Sequence, residues 1–127
     1  MPRACFDYAG ADLAVVDGDC VIGAGLRLIP TPGHSPGHQG LLVETAEGRE
    51  LLGGQSFDSA YEFGLADLAA RLAGGPDALE DVEYPEWMHT IQGLDLQRVR
   101  FAHDLAEWRP PPFDLPRSEP SLLIDPY

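Results

Sequence analysis

The most regular hydrophobic pattern in the chain is helical. Ser59-Ala60-Tyr61-Glu62 has the capping-box order, and Tyr61, Leu65, Leu68, Ala69 and Leu72 recur at helical spacing until Gly74-Gly75-Pro76. A helix is therefore predicted from about residue 60 to 73. A weaker helical pattern starts near Pro85 and places Trp87, Ile91 and Leu94 on one face. On this reading Tyr61 and Trp87 are core residues rather than a platform for a stacked ligand.

Upstream, the apolar runs are short and strand-like. Leu13-Ala14-Val15-Val16 is closed by the turn signal Asp17-Gly18-Asp19, and Cys20-Val21-Ile22 and Leu26 to Ile29 follow. Gly40 to Thr45 and Glu50 to Leu52 are joined by Ala46-Glu47-Gly48-Arg49, a tight turn. Together these segments read as an antiparallel meander. It stops at Gly53-Gly54-Gln55-Ser56, where glycines at a strand end imply close backbone approach. A last alternating strand, Arg98 to Ala102, runs into His103-Asp104. The predicted class is α+β, a mostly antiparallel sheet with two or three helices on one face.

One loop carries candidate chemistry. In Thr31-Pro32-Gly33-His34-Ser35-Pro36-Gly37-His38-Gln39 two histidines stand four apart, but Pro36 lies between them and Gly33 and Gly37 flank them. That backbone cannot be a helix. Apolar runs on both sides make it a strand-loop-strand corner that projects imidazole from a sheet edge. A metal-ligating histidine and an ordinary hydrogen-bonded loop histidine both fit this local pattern. His103, at a strand end beside a carboxylate, has the same two readings.

Composition narrows the function classes. The 127 residues form one domain large enough to bury roughly two thirds of its unfolded surface. The net charge of -13, from 21 acidic and 8 basic residues, opposes nucleic acid and anionic membranes as partners. All eight basic residues are arginine, a coding bias from which no mechanism follows. Charged residues interrupt every apolar run well before the roughly 20 residues of a membrane span. Cys5 and Cys20 form no CxxC, so a reduced, cytoplasmic setting is expected. Six of the twelve prolines fall between Pro110 and Pro126, which divides the chain into a domain over 1–108 and a Pro-rich tail over 109–127.

Asp17-Gly18-Asp19, the Thr31 to Gln39 loop, Leu51-Leu52-Gly53-Gly54 and Phe101-Ala102-His103-Asp104 occur in an order that resembles the metallo-β-lactamase superfamily, and within it the N-acyl-homoserine-lactonase-like hydrolases. The resemblance implies an αββα sandwich, of which this chain corresponds to the C-terminal half. It implies two zinc ions that lower the pKa of a bridging water and polarise a lactone or other ester-type carbonyl. It also implies metal-ligand roles for His34 and His103, one in each zinc site. His38 would orient His34 through hydrogen bonds, and Asp104 would lie behind His103. His89 matches no family position.

Two departures from the family pattern stand out. The His-x-His-x-Asp-His segment that supplies four ligands is absent from the sequence. Gln55 occupies the place of the aspartate that bridges the metals, and a neutral amide brings no charge to offset two cations. Asp58 is an alternative donor, with a helix-capping role as its plainer reading. Two ligands for two metals predict an inactive chain, a truncated hydrolase needing a partner chain with the N-terminal half, or else a homo-oligomer. Apolar side chains such as Leu28, Leu42 and Val99 would then be left uncovered. The alternatives are a non-catalytic interaction or dimerisation module derived from the fold, and a thioesterase of the glyoxalase II kind.

Overall fold

The structure is a computed structural model in which residues 18–112 are described. The run Leu13 to Val16, Cys5 and the tail beyond residue 112 lie outside the described residues. One six-stranded sheet is built from β1 (Cys20–Gly23), β2 (Leu26–Pro30), β3 (Gln39–Thr45), β4 (Gly48–Leu52), β5 (Leu96–Phe101) and β6 (Asp104–Trp108), adjacent in chain order. The helices α1 (Ala60–Leu72) and α2 (Trp87–Gln92) lie between β4 and β5. The fold is α+β, as the pattern predicts.

From β1 to β4 the strands form the predicted antiparallel meander. Gly25 and Gly48 turn two of its corners with φ of 71° and 117°, a region that favours glycine. The helical segment then carries the chain across, so β5 joins β4 in parallel, and β6 returns antiparallel to β5. Strand β6 is absent from the sequence reading. Its Leu105 and Ala106 are exposed, so the segment lacks an alternating apolar face.

The start of α1 falls where the capping box puts it. Ser59 Oγ accepts the Glu62 N–H at 3.1 Å, and Asp104 Oδ2 accepts the Ala60 N–H at 2.8 Å. Asp58 is exposed, and the cap is made by Ser59 and Asp104 instead. Helix α2 is shorter than its pattern, and Leu94 lies beyond its end.

Ile29, Leu42, Leu51, Val99 and Phe101 on one sheet face pack with Phe63, Ala66 and Ala70 of α1 and Met88 and Ile91 of α2. Phe63 sits 5.2–5.5 Å, ring centre to ring centre, from Phe57, Phe101 and Trp108. Two expectations are corrected here. Tyr61 is 73% exposed, because the buried side of α1 is the Phe63 and alanine side rather than the leucine stripe. Leu42 and Val99 are buried, because their register places them under the helices.

The opposite sheet face has two halves. Cross-strand pairs Leu26↔Val43, Leu28↔Leu41 and Leu41↔Leu52 make it apolar over β2 to β4, half-buried apart from exposed Leu52. Over β4 to β6 it becomes an ion-pair network. Arg98 contacts Glu47, Glu50 and Glu107, and Arg100 contacts Glu50 and Glu107. Among the described residues no helix is long and apolar enough to cross a membrane.

Candidate functional site

Three connections meet at one end of the sheet: the β2–β3 loop with His34 and His38, the turn after β4 with Gln55, and the β5–β6 turn with His103. The first continues the β2–β3 ladder, with the Thr31 N–H donating to the His38 carbonyl at 2.9 Å. Within the loop, the Ser35 carbonyl accepts the N–H groups of both Gly33 and His38. The Trp87 indole N–H donates to the Pro32 carbonyl at 3.0 Å and fastens the loop to α2. Trp87 is thus part core and part loop anchor, a role that its helical spacing does not disclose.

The second connection is tight for the reason its glycines suggest. A Cβ on Gly53 would stand 3.0 Å from the Phe101 ring, and Gly54, with φ of 57°, leaves only 3.1 Å to His38 Nε2. The Gly54 carbonyl accepts the Ala102 N–H at 2.8 Å, so this turn and the β5–β6 turn are joined through the backbone.

His38 is half-buried and has both nitrogens engaged. Its Nε2 accepts the Gln55 N–H at 3.1 Å, which places the ring proton on Nδ1, 2.7 Å from the Oγ1 of fully buried Thr31. Burial, reinforced by the charge of nearby His34, holds the His38 pKa below its ordinary value. The hydrogen bond to His34 implied by the resemblance is not made. His34 meets His38 only ring edge to ring face, with centres 6.5 Å apart.

The other candidates are placed as follows. His34, Gln55 and His103 are all exposed. Gln55 Nε2 lies 2.9 Å from His103 Nε2, so the amide and the imidazole are hydrogen-bonded to each other. Asp104 gives one oxygen to the Ala60 N–H and the other to the Ala106 N–H, bonds that hold its pKa below the usual aspartate value. It supports the turn carrying His103 through the backbone and has no hydrogen bond to the imidazole among those of the described residues. His89 lies in α2, its ring 5.3 Å from that of Tyr84.

These donors do not by themselves fit a zinc centre. Among the described residues no three His, Cys, Asp or Glu side chains are grouped to hold a metal ion. His38 and Asp104 have committed their donor atoms, and the nitrogen of His103 nearest Gln55 is committed as well.

No family model matches the chain. By sequence it is related, over part of its length, to the metallo-β-lactamase superfamily. The relatives are N-acyl homoserine lactonases: 47 residues are 40% identical to the enzyme of Bacillus thuringiensis and 43% identical to that of Bacillus cereus. This stretch is 37% of the chain and 18% of each relative. A quorum-quenching N-acyl homoserine lactone hydrolase superposes with a TM-score of 0.49 at 26% identity, over 72% of this chain and 37% of its own. A second such hydrolase, with N-hexanoyl-L-homoserine bound at its catalytic metal centre, superposes with a TM-score of 0.48 at 24% identity over 72% and 36%.

Proposed function

We propose that this chain is part of a cytoplasmic lactonase-like hydrolase, contributing the loop cluster to a site that opens a lactone or other ester-type carbonyl. The observation that carries the reading is the 40% identity to N-acyl homoserine lactonase over 47 residues. The convergence of the His34, Gln55 and His103 turns at one sheet end supports it, since a carbonyl-hydrolysing site needs donors gathered from separate elements. In this reading His34 and His103 are the exposed imidazoles that would serve a metal, His103 through Nε2 only once its contact with Gln55 is broken, and the remaining ligands come from a complementary segment of the His-x-His-x-Asp-His kind. That segment would cover the apolar sheet face around Leu28 and Leu41. A thioesterase substrate is the neighbouring possibility, since it presents the same carbonyl chemistry.

Lactone ring opening, followed by pH-stat titration with an N-acyl homoserine lactone, tests this reading. The chain alone is expected to give no turnover. Mixed with the N-terminal portion of a Bacillus lactonase and zinc, it is expected to gain turnover that His34→Ala and His103→Ala each abolish. Turnover by the chain alone, or turnover indifferent to both substitutions, would overturn it.

A second reading is favoured by one contact. Gln55 engages one of the two His103 ring nitrogens, as suits a non-catalytic interaction or dimerisation module. A complex that forms on mixing yet hydrolyses nothing would select this alternative.

A further inference from the structure

His103, to which the resemblance assigns a metal, and Gln55, at the place of the bridging aspartate, are joined instead to His38 and Thr31 by a continuous run of hydrogen bonds. It passes from Thr31 Oγ1 to His38 Nδ1, from His38 Nε2 to the Gln55 N–H, and from the Gln55 amide to His103 Nε2. Thr31 and His38 belong to the first connection, Gln55 to the second and His103 to the third, so the run ties all three.

We infer that this run is a metal-independent latch, in which Gln55 is a positioning residue that holds the His103 imidazole and keeps divalent cations from its Nε2. The argument rests on lone pairs. Whichever way the Gln55 amide is turned, the shared nitrogen of His103 is unavailable to a cation. With the NH₂ facing the ring, the amide takes the Nε2 lone pair. With the carbonyl facing it, Nε2 must carry a proton. A cation approaching that nitrogen has to break the contact first. A carboxylate at this position would instead attract the cation, and Gln55 supplies none. The backbone half of Gln55 has a separate task, because its N–H fixes the Nε2 of His38. The latch thus has a part-buried arm at Thr31 and His38 and an exposed arm at His103.

The inference concerns the chain as it stands and does not depend on lactone hydrolysis, so a failed complementation leaves it intact. Its test is ring ¹⁵N NMR of the full 127-residue protein during titration with zinc chloride, alongside Gln55→Ala and Gln55→Glu. In the wild type, His103 Nε2 should report a hydrogen-bonded nitrogen that stoichiometric zinc leaves unmoved. Gln55→Ala should shift the His103 resonances, leave those of His38 in place and strengthen zinc binding roughly two- to tenfold, the worth of one exposed hydrogen bond. Gln55→Glu should strengthen it further. His103 shifts unchanged in Gln55→Ala, or zinc bound as well by the wild type as by either variant, would overturn the inference. Amide spectra of both variants check that each remains folded.

Discussion

At the scale of single residues, the cluster separates into a part that the fold depends on and a part that it does not. Thr31 has no exposed surface, and its hydroxyl is the partner of His38 Nδ1. Thr31→Val keeps the shape but leaves that ring nitrogen unpaired in a half-buried place, and should cost about 1–2 kcal/mol in urea denaturation. Gln55→Ala removes only an exposed amide, and the backbone N–H that holds His38 remains, so stability should change by less than about 0.5 kcal/mol. The reverse ranking would mean that the exposed arm of the latch carries the structure. The loop histidines and His103 could be singled out from the sequence because each sits at a recognisable loop or strand end, whereas the choice of His34 over His38, and that of Gln55, rest only on the family resemblance. Their partners could not be. The pairings of His38 with Gln55 and of Gln55 with His103 span 17 and 48 residues, and no local pattern reaches so far.

Among the elements, α1 shows how a correct boundary can accompany a wrong face. Ser59 and the apolar spacing place the helix well, since caps and periodicity are local. The leucines at 65, 68 and 72 outweigh Phe63 and the alanines in hydrophobicity, yet the sheet takes the Phe63 side. Ala66 and Ala70 are small enough there to let the helix approach closely. Phe63→Ala should therefore cost about 3–5 kcal/mol, while Leu65→Ala, on a half-buried flank, should cost under half as much. Equilibrium unfolding of the two variants distinguishes the faces, and equal losses would contradict the packing described. Strand β6 stayed hidden for a related reason. It is held by its pairing with β5 and by the Asp104 bonds to Ala60 and Ala106, not by an apolar stripe of its own.

At the scale of the whole molecule, a chain with net charge -13 repels itself, and half of its eight arginines, Arg49, Arg98, Arg100 and Arg109, are paired with acids along β3 to β6. Glu107 joins three of them. Its hydrogen bond with Arg109, followed by the fields of Arg109, Arg98 and Arg100, holds its pKa below the ordinary 4.5 against an opposing push from burial. A depressed folded-state pKa means that the unfolded chain binds the proton more readily. The stabilisation is then present above pH 4.5 and is lost as the pH falls below that value through the folded-state pKa. Glu107→Gln should accordingly melt below the wild type at pH 7, and the gap should close as the pH is lowered through the acid range. Added salt should narrow the gap at pH 7 as well, because the network is partly exposed and screening reaches it. Thermal melts of both proteins from pH 7 to pH 3, at low and high sodium chloride, make the comparison. A gap that persisted unchanged at pH 3 would mean that Glu107 acts through packing and not through charge.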